Sequence, residues 1–537
     1  MMEIKFDPYL IVFIIIALGV LVFELIVTVG KPLAFGDEAY HAYIGKYIGT
    51  THTFPKDLPG FGGLYTYSPL LHIILGVIYV LPSALWVLAK TVVPLTVLVI
   101  GMSMFILLSK LYNSRLAFVA SVIIIALPIF VTYSVLIYTD MLMVLFFFLS
   151  FAFTLLADKF GSKKYWFLAV VFASLSYLSK TPGIVSFLFI GGLLVYKFAK
   201  KELSLKQFLA ISLISIGIVA ALVGWWWVRN YVDFKTIDCN LPLTFFNTVI
   251  GVKSECYNLS DVITKESADK FAGYVAPTGS NLDVLHFGLK GFMEFVYGKM
   301  LLVPLFVFCG IILMLRRRER NDIYLLVLLL LSVLPVIFVS SARVEDVGRY
   351  IILSTVTFAL MSAVFLEEFF KSVQKFWKYI PVLIIIVMLI LFWPVFKSRL
   401  DTMSQVKTFS PLFFDACDWI KGNTPNDGIF LSLWSAPTAY NCERTSKWST
   451  NDLPDIVLSQ NVTIVLDALE SEKINYIFIQ KFAMSGAAYI TMVPYNFVVF
   501  LESNPNNFQK VYENGPSLND CASAGGCDGT IVYKVIK

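Results

Sequence analysis

The sequence predicts an α-helical polytopic membrane protein that ends in a small α/β domain outside the membrane. Of its 537 residues, 58% are hydrophobic and only 15% are charged, whereas a typical soluble domain is about 45–50% apolar. Its apolar runs are long enough to cross a bilayer, and short clusters of Lys and Arg separate them. The composition therefore excludes an ordinary soluble globular protein.

Apolar runs of about 17–25 residues predict about eleven transmembrane helices. The first run, at about 9–29, is too long for a removable signal peptide and lacks the small-residue cleavage pattern. The other spans are expected at about 84–109, 116–136, 141–158, 165–180, 182–198, 207–228, 299–315, 323–340, 350–370 and 379–397.

The stretch 69–82, PLLHIILGVIYVLP, is apolar but short. Its 14 residues would reach about 21 Å as a helix, less than the hydrocarbon core of about 30 Å. We therefore expect it to lie at the membrane surface or to insert only halfway. A further crossing at this point would invert the orientation of every later span.

Basic connections between the spans set the orientation, since positively charged loops stay on the cytoplasmic side. They lie at 110–115, 158–164, 197–206, 316–320 and 371–378. A multi-pass protein of the cell membrane with a cytoplasmic N-terminus and an extracytoplasmic C-terminal domain satisfies all five. The net charge of +5 is small for this length, so the basic residues indicate topology and not binding to nucleic acid.

On this orientation, residues 1–400 form a transmembrane domain with outer loops at about 30–83 and 230–298, and residues 401–537 form an extracytoplasmic domain. This C-terminal segment alternates helix and strand patterns. Helical spacing appears in PLFFDACDWIKGNTP and LPDIVLSQNVTIVLDALESEKI. Strands are predicted in GIFLSLW, NYIFIQ, FQKVYENG and TIVYKVI.

Cysteine positions give an independent test of sidedness. Six of the seven cysteines fall in segments predicted to be outside, and Cys309 falls within a span. Disulfides persist outside the cytosol, so an even number there fits bridges. The simplest pairing is Cys239 with Cys256, Cys417 with Cys442, and Cys521 with Cys527. Six unpaired thiols without a role are the alternative.

Charged residues gather at the outer ends of the predicted spans, in KPLAFGDEAYHAYIGKYI, IYTDMLMVLFF, LSYLSKTPG, GWWWVRNY and VEDVGRYIILS. The candidate site residues in these motifs are Asp37, Glu38, Asp140, Lys180, Arg229, Arg349 and Tyr350. A charge near the bilayer is costly, about 2.5–3.5 kcal/mol at a helix centre, so several on one face imply compensation by one another or by a ligand. Carboxylates can act as a general base, and Lys and Arg suit phosphate oxygens. The motifs therefore predict a site for a phosphorylated lipid.

The acidic and basic residues also have structural readings. Asp37 and Asp140 could cap the helices that follow them, and in that case Glu38 would become the stronger candidate for the base. Arg349 could form a surface salt bridge with one of the acids in VEDVG. Lys180 could be an interfacial anchor whose charged end reaches the headgroups.

The same holds for the remaining basic and aromatic residues. Arg229 could also be an interfacial anchor. The three tryptophans that precede it are more typical of an aromatic belt than of a sugar platform. His41 and His72 have no partner His or Cys at metal-ligand spacing, so the sequence does not predict a zinc site.

The motifs resemble those of membrane glycosyltransferases of the GT-C superfamily. The acidic pair after the first span, TDML, SKTPG, WWWVRNY and GRYIIL look most like those of protein O-mannosyltransferases and of the aminoarabinose transferases that modify lipid A. The resemblance covers about residues 1–370, and the tail resembles the outer domains often appended to such enzymes. It implies a GT-C-like fold and an inverting transferase. That enzyme would move a hexose or pentose from a polyprenyl-phosphate carrier, such as dolichyl phosphate, to a protein, lipid or glycan acceptor on the non-cytoplasmic face.

The resemblance also implies a role for each site residue. Asp37 would be the general base that deprotonates the acceptor, Glu38 would be its acidic neighbour, and Asp140 would be the second acidic position. The positions that would hold the carrier phosphate are Lys180, Arg229, Arg349 and Tyr350. The reaction would be a direct displacement at the anomeric carbon, with polyprenyl phosphate as the leaving group.

The chain departs from the family pattern in two places. Such enzymes often have a basic residue or His before a Pro-Pro pair, whereas TYSPLLH has Ser68, a single Pro69 and only then His72. That position gives no support for a phosphate or acceptor contact. LSLWSAP has Trp434 but no acid, so the tail lacks the WWD-type motif expected of oligosaccharyltransferases. Transfer of a preassembled glycan to Asn is therefore disfavoured.

Two other functions stay open on the sequence alone. A polytopic transporter or flippase could use the same charges to guide a lipid or solute, although no internal repeat is visible. A hydrolase is less favoured, because no Gly-rich nucleophile motif or HExxH appears. No cofactor is required by the pattern. Two acids near a phosphate could hold Mg²⁺ or Mn²⁺, whereas Lys and Arg could make a metal unnecessary.

Overall fold

A computed structural model gives the fold of this chain in several stretches. The described residues are 7–29, 37–58, 63–64, 67–234, 303–337, 344–374, 397, 409–447, 456–457, 459–481, 484–485, 493–517, 520 and 527–536. The outer loop expected at about 230–298, except for its first residues, lies outside the described part. So does the span expected at about 379–397, except for Lys397.

The described residues of the membrane part form helices α1 to α14. Their bounds are α1 (Pro8–Val29), α2 (Asp37–Thr51), α3 (Leu70–Tyr79), α4 (Val92–Leu111), α5 (Ser114–Ala126), α6 (Pro128–Ser134), α7 (Asp140–Phe160), α8 (Lys163–Ser179), α9 (Val185–Ala199), α10 (Leu205–Leu222), α11 (Gly224–Phe234), α12 (Val303–Arg317), α13 (Arg320–Ile337) and α14 (Val344–Gln374). Short 3₁₀ segments, Ser83–Thr91 and Thr181–Ile184, precede α4 and α9. A short strand pair, β1 (Asp57–Leu58) and β2 (Gly63–Leu64), follows α2.

Among the described residues, six helical stretches are long and apolar enough to cross a membrane. They are Pro8–Val29, Leu85–Leu111, Asp140–Phe160, Thr181–Ala199, Leu205–Leu222 and Ile351–Gln374. This confirms the prediction of a helical multi-pass membrane protein.

The span predicted at about 116–136 is not one continuous helix. α5 ends at Ala126, Leu127 adopts an extended conformation with φ −60° and ψ 131°, and α6 starts at Pro128. Proline has no backbone N–H and disfavours the helical conformation in the residue before it. The apolar run predicted one span, and the proline divides it in two.

The short helix α3 packs closely against α2. It has 10 residues, which give about 15 Å of helix and fit the expectation that it does not cross the membrane. A Cβ on Gly49 would lie 2.7 Å from the backbone oxygen of Gly76, and a Cβ on Gly45 would lie 2.4 Å from Cβ of Leu75. The two backbones approach this closely because glycines occupy the contact.

The basic connections come together at one end of the helices. Lys159 Nζ donates to the backbone oxygen of Lys110 at 2.9 Å and so joins the first two connections. Asp158 pairs with Lys197, and its Oδ1 accepts from Arg320 Nη2 at 2.9 Å. These contacts link the second, third and fourth connections.

The fifth basic connection, which follows α14, lies at the same end. Arg115 Nη1 donates to Gln374 Oε1 at 3.2 Å. Arg317 Nη1 lies 3.5 Å from Glu368 Oε1 in the preceding turn of α14. All five basic connections thus share one end of the helices, as the predicted topology requires.

The C-terminal residues form a five-stranded mixed sheet with helices packed against it. The helices are α15 (Pro411–Asn423), α16 (Ser435–Cys442), α17 (Val462–Ser471) and α18 (Tyr495–Ser503). The strands are β3 (Ile429–Leu431), β4 (Thr445–Lys447), β5 (Tyr476–Gln480), β8 (Phe508–Asn514) and β9 (Thr530–Val535), and a separate short pair is formed by β6 (Met484–Ser485) and β7 (Val493–Pro494). The order is β4-β3-β5-β9-β8, with β3 parallel to β4 and β5, and β9 antiparallel to β5 and β8.

Helices α15 and α17 and strands β3, β5, β8 and β9 fall in segments where the sequence patterns predict a helix or a strand, whereas the patterns do not predict α16, α18, β4, β6 or β7. Phe413 of α15, Phe430 of β3 and Phe478 of β5 are fully buried in one apolar cluster between helix and sheet. The short strand predicted from GIFLSLW is therefore an interior strand of the sheet, with a partner on each side.

The structure tests part of the cysteine pairing. Cys417 on α15 is bonded to Cys442 at the end of α16, which confirms that prediction. Cys527 is disulfide-bonded as well. Its predicted partner Cys521, like Cys239 and Cys256, lies outside the described residues, so those pairings stay predictions.

The C-terminal residues contact α2 directly. Lys46 Nζ pairs with Glu443 Oε1 at 3.0 Å, and the same ammonium lies 4.9 Å from the ring centroid of Trp86. Tyr79 and Tyr440 share a hydrogen bond between their hydroxyls at 3.1 Å. Helix α16 and Glu443 of the C-terminal region therefore contact α2 and α3.

Candidate active site

Four of the predicted site residues form one chain of ion pairs. Lys180 Nζ donates to Oδ1 of Asp140 at 2.6 Å, and Arg349 Nη2 donates to Oδ2 of Asp140 at 3.4 Å. Nη1 of the same guanidinium donates to Oδ2 of Asp37. In the order Asp37, Arg349, Asp140 and Lys180 the charges alternate. This chain of ion pairs brings together residues from α2, α7, α14 and the segment after α8.

Burial differs along the chain of ion pairs. The Asp140 side chain is fully buried, whereas Asp37 keeps 32% of its side chain exposed. Lys180 and Arg349 lie between these values, at 18% and 21%. Asp37 is thus the more exposed of the two carboxylates, and Asp140 is the one that pairs with both cations.

Asp140 is the first residue of α7 and not its cap. The residue before it, Thr139, occupies the N-cap position and makes no side-chain capping hydrogen bond. The carboxylate of Asp140 instead faces Lys180 and Arg349. The ion pairs, and not helix capping, account for this acid.

Lys180 is placed by the turn that ends α8. Its backbone is extended, with φ −162° and ψ 139°, and its carbonyl accepts from the amide of Gly183 at 2.9 Å. A Cβ on Gly183 would lie 2.4 Å from the backbone carbonyl carbon of Ser176, so only glycine allows this turn to close against α8. The SKTPG motif is therefore the local structure that aims Lys180 at Asp140.

Arg349 lies near the start of α14 and stacks on an aromatic ring. Its guanidinium carbon is 4.6 Å from the ring centroid of Tyr138, which precedes α7 by two residues. The buried Nε of Arg349 makes no hydrogen bond within the described residues. Asp37 and Asp140 are its ionic partners among the described side chains, and the side chains of Glu345 and Asp346 lie outside the description.

Glu38 lies beside the chain of ion pairs and is itself buried. Its Oε1 accepts from the backbone N–H of Ile137 at 3.1 Å. That contact ties the start of α2 to the segment that leads into α7. Glu38 therefore holds the two acidic motifs together, while its neighbour Asp37 is the more exposed acid.

Arg229 is placed by contacts with residues outside the chain of ion pairs. Its Nε lies 3.2 Å from Asp233 Oδ2, Nη2 donates to the backbone oxygen of Pro55 at 2.9 Å, and Nη1 donates to Asn230 Oδ1 at 2.9 Å. Its guanidinium also lies 5.0 Å from a ring centroid of Trp226. The described contacts tie Arg229 to the loop after α2, and its role at the phosphate stays a prediction.

Tyr350 follows Arg349 on α14, and its side chain lies outside the described part of the structure. Its predicted role stays a prediction as well.

The sequence did not predict a contact between His41 and His72. Nδ1 of His41 and Nε2 of His72 lie 2.7 Å apart, and both rings are buried. The residues are 31 positions apart, so no metal-ligand spacing connects them. The available signal was the set of small residues on α2 and α3, which lets the two helices approach. Within the described residues, no group of three or more His, Cys, Asp or Glu could hold a metal ion.

A family model matches a part of the sequence that contains two of the ion-paired residues. Residues 61–227 match the family described as dolichyl-phosphate-mannose-protein mannosyltransferase. That range contains Asp140 and Lys180. No curated protein sequence matches the chain significantly.

Solved membrane enzymes share the fold. The oligosaccharyltransferase of Archaeoglobus fulgidus in its apo form aligns with a TM-score of 0.66 at 13% identity, over 97% of this chain and 82% of that chain. ArnT from Cupriavidus metallidurans bound to undecaprenyl phosphate aligns with a TM-score of 0.59 at 12% identity, over 98% and 97%. AglB of A. fulgidus in complex with an inhibitory peptide and a dolichol-phosphate gives 0.59 at 13% identity, over 97% and 74%.

At these identities the structural likeness shows the fold alone, and the family match adds the motif-bearing residues 61–227. Together they confirm the GT-C-like fold that the motifs predicted: this chain has the fold of these membrane enzymes, and its residues 61–227 match the mannosyltransferase family.

Proposed function

We propose that this protein transfers a sugar from a polyprenyl-phosphate carrier to an acceptor on the non-cytoplasmic face of the membrane. The observation that carries the proposal is the chain of ion pairs, which places an accessible carboxylate beside two cations at the end of the helices opposite the basic connections. The similar enzymes with undecaprenyl phosphate and dolichol-phosphate bound support this class of carrier.

Lys180 and Arg349 would bind the carrier phosphate. Both cations pair with Asp140, whose buried side chain keeps them in the site. Arg supplies a planar pair of N–H donors that fits two phosphate oxygens, and Lys supplies a point charge. Arg229 would be a further contact to the phosphate, although its described contacts tie it to Asp233, Asn230 and Pro55.

Asp37 would act as the general base. The acceptor loses its proton to Oδ1 or Oδ2 of Asp37 while its oxygen or nitrogen attacks the anomeric carbon. The bond from that carbon to the phosphate oxygen breaks, and polyprenyl phosphate leaves with the electron pair. One displacement of this kind inverts the anomeric configuration. Lys180 and Arg349 stabilise the negative charge that grows on the leaving phosphate.

A divalent metal is not required by this arrangement. The guanidinium of Arg349 pairs with both Asp37 and Asp140, the carboxylates that would hold Mg²⁺ or Mn²⁺, and so already supplies positive charge beside them. One structure of the A. fulgidus oligosaccharyltransferase is described with Zn and sulfate, so the point deserves a direct test. We expect sugar transfer to persist in excess EDTA.

The same geometry supports a proposal for the topology. We propose about eleven transmembrane helices in residues 1–400, with the N-terminus and the basic end in the cytoplasm. The sheet-containing residues 401–537 would then form a domain outside the membrane. The bonded pair of Cys417 and Cys442 in that region supports an oxidising compartment.

The experiment is a transfer assay with purified protein in detergent and a polyprenyl-phosphate donor whose sugar is radiolabelled. We expect the labelled sugar to move to an acceptor, or to water when no acceptor is supplied, with release of polyprenyl phosphate. The Asp37→Asn variant should bind the donor and fail to turn over. A protein that moves the intact labelled lipid across a bilayer without breaking the sugar–phosphate bond would instead be a flippase.

A further inference from the structure

The buried histidine pair lies beside the chain of ion pairs, and the mechanism above does not use it. His41 is on α2, one turn after Asp37, and His72 is on α3. Their rings face each other with Nδ1 of His41 and Nε2 of His72 at 2.7 Å. The ring of His41 meets Tyr138 at 6.1 Å between centroids, and Arg349 stacks on that same tyrosine, so His41 lies close to the chain of ion pairs.

Burial keeps both rings neutral. It lowers the pKa of His41 to about 3, with the nearby positive charge of Arg349 as the second cause. Burial also lowers the pKa of His72 well below its usual value. A neutral imidazole has one N–H donor and one bare nitrogen, so a contact of this length needs one ring as donor and the other as acceptor.

A backbone hydrogen bond fixes which ring donates. His72 bonds the backbone of Ser68, in a contact that favours the protonated ring. The ring must therefore donate to the Ser68 carbonyl, which only accepts. Nε2 of His72 faces His41, so the donor to Ser68 is Nδ1. Nε2 of His72 is then the bare nitrogen, and it accepts from Nδ1–H of His41.

The relay of hydrogen bonds from His41 to His72, and from His72 to the Ser68 carbonyl, leaves one hydrogen-bond acceptor unused. With its proton on Nδ1, His41 has a bare Nε2, and the described residues offer no hydrogen bond to that nitrogen. Edges of the His41 ring meet Tyr138 at 6.1 Å and Tyr67 at 6.3 Å between centroids, and Tyr138 is the ring on which Arg349 stacks. An uncharged nitrogen that can accept a hydrogen bond from one fixed direction thus lies among the residues proposed to bind the sugar donor and the acceptor substrate.

We infer that Nε2 of His41 accepts a hydrogen bond from a substrate hydroxyl, and that His72 is a positioning residue that keeps this nitrogen unprotonated. The inference rests on the proposed function, because that function supplies the hydroxyl. The group belongs either to the transferred sugar or to the acceptor, and both present the same O–H donor. An ionised carboxylate could not take this role, since it has no hydrogen to donate to the bare nitrogen.

Amide side chains can separate the two nitrogens of His41. His41→Asn keeps an N–H donor near the position of Nδ1 and removes the acceptor at Nε2, whereas His41→Gln can place its amide oxygen near Nε2. We expect His41→Asn to lower kcat/KM by about 10–100-fold, the effect of one lost hydrogen bond to a substrate hydroxyl. His41→Gln should recover most of that loss. His52→Asn is the matched control, because His52 is exposed at the end of α2 and should have no effect.

Two kinetic outcomes identify the source of the hydroxyl. If the sugar donates it, His41→Asn weakens donor binding measured without an acceptor. If the acceptor donates it, donor binding is unchanged and KM for the acceptor rises. Equal kcat/KM for wild type and His41→Asn, in a protein that does transfer sugar, overturns the inference and leaves the proposed function standing. A wild-type protein that does not transfer sugar overturns the proposed function and the inference with it.

Nitrogen-15 NMR of the histidines tests the relay without any activity. The chain has only four histidines, so each signal can be assigned by substitution. His41 and His72 should both be neutral with the proton on Nδ1 at neutral pH. His72→Gln should preserve this state in His41 because its amide oxygen can still accept, whereas His72→Phe should release it. A proton on Nε2 of His41 in the wild-type protein overturns the inference.

Discussion

Nη1 of Arg349, on α14, donates a hydrogen bond to Oδ2 of Asp37, at the start of α2, across 312 positions of the sequence. The same guanidinium reaches Asp140 through Nη2 at 3.4 Å. An incoming phosphate would compete with both carboxylates, because its oxygens accept the same paired hydrogen bonds. Donor binding would therefore free Asp37 at the stage where an acceptor has to be deprotonated.

The first prediction concerns Asp37. Asp37→Asn should keep donor binding and lower turnover by about 10²–10⁴-fold, the usual range for loss of a general base. Transfer of label from the polyprenyl-phosphate donor measures turnover, and binding is measured separately. Asp418→Asn is the control, because Asp418 is 75% exposed and pairs only with Lys421 among the described residues. Near-normal turnover in Asp37→Asn, with loss in Glu38→Gln, would reverse the roles of the acidic pair.

The second prediction concerns Lys180. Lys180→Ala should weaken donor binding by about tenfold or more, because the phosphate loses a charge-assisted hydrogen bond. It also leaves Asp140 with Arg349 as its one remaining described cation, so thermal stability should fall. Lys180→Arg keeps the charge and should retain more binding, and Lys421→Ala serves as the exposed control. Unchanged donor affinity in a folded Lys180→Ala variant would remove Lys180 from the phosphate site.

The third prediction concerns the contact between α2 and α3. Gly49→Ala should lower the thermal stability, because the new Cβ would lie 2.7 Å from the backbone oxygen of Gly76. Gly192→Ala is the matched control, since a Cβ there meets nothing within 4 Å. An exposed helical Gly→Ala substitution is favourable by about 0.8–1.0 kcal/mol in water, so the control should be neutral or stabilised. Equal melting temperatures for the two variants would contradict the close approach.

The fourth prediction concerns the disulfide between Cys417 and Cys442. Replacing both cysteines with serine should destabilise the C-terminal sheet region by about 2–4 kcal/mol, because the bridge closes a loop with a sequence separation of 25. Limited proteolysis with increasing denaturant measures the effect. Cys309→Ser, which removes the free cysteine of α12, is the control and should leave the protease resistance of the tail unchanged. An unaltered tail in the double variant would show that the bridge does not constrain it.

The fifth prediction concerns sidedness. Single cysteines introduced at Lys201 and at Lys421 should react differently with a membrane-impermeant maleimide in intact cells. Lys201→Cys should be protected, because it lies at the basic end of the helices, and Lys421→Cys should be labelled. Reaction at both sites, or at neither, would mean that the number of crossings between them is wrong.

The contact among four charged residues could be expected from the sequence, for a physical reason. Asp37, Asp140, Lys180 and Arg349 stand at the ends of apolar runs, where an unpaired charge is costly, so their positions indicate mutual contact. The histidine pair could not be predicted in the same way. His41 has no motif partner, and its contact with His72 depends on how closely two helices pack. The division of one span at Pro128 escaped notice because hydropathy averages over a proline.

A density map of the protein with polyprenyl phosphate bound would show directly whether Lys180 and Arg349 bind the carrier phosphate beside Asp37. We expect phosphate oxygens at about 2.7–2.9 Å from Lys180 Nζ and from the Arg349 guanidinium. We also expect Asp37 to lose its hydrogen bond from Arg349 Nη1 and to face the space above the phosphate. A phosphate bound away from these residues, with the pairs of Asp37, Arg349, Asp140 and Lys180 unchanged, would contradict both expectations.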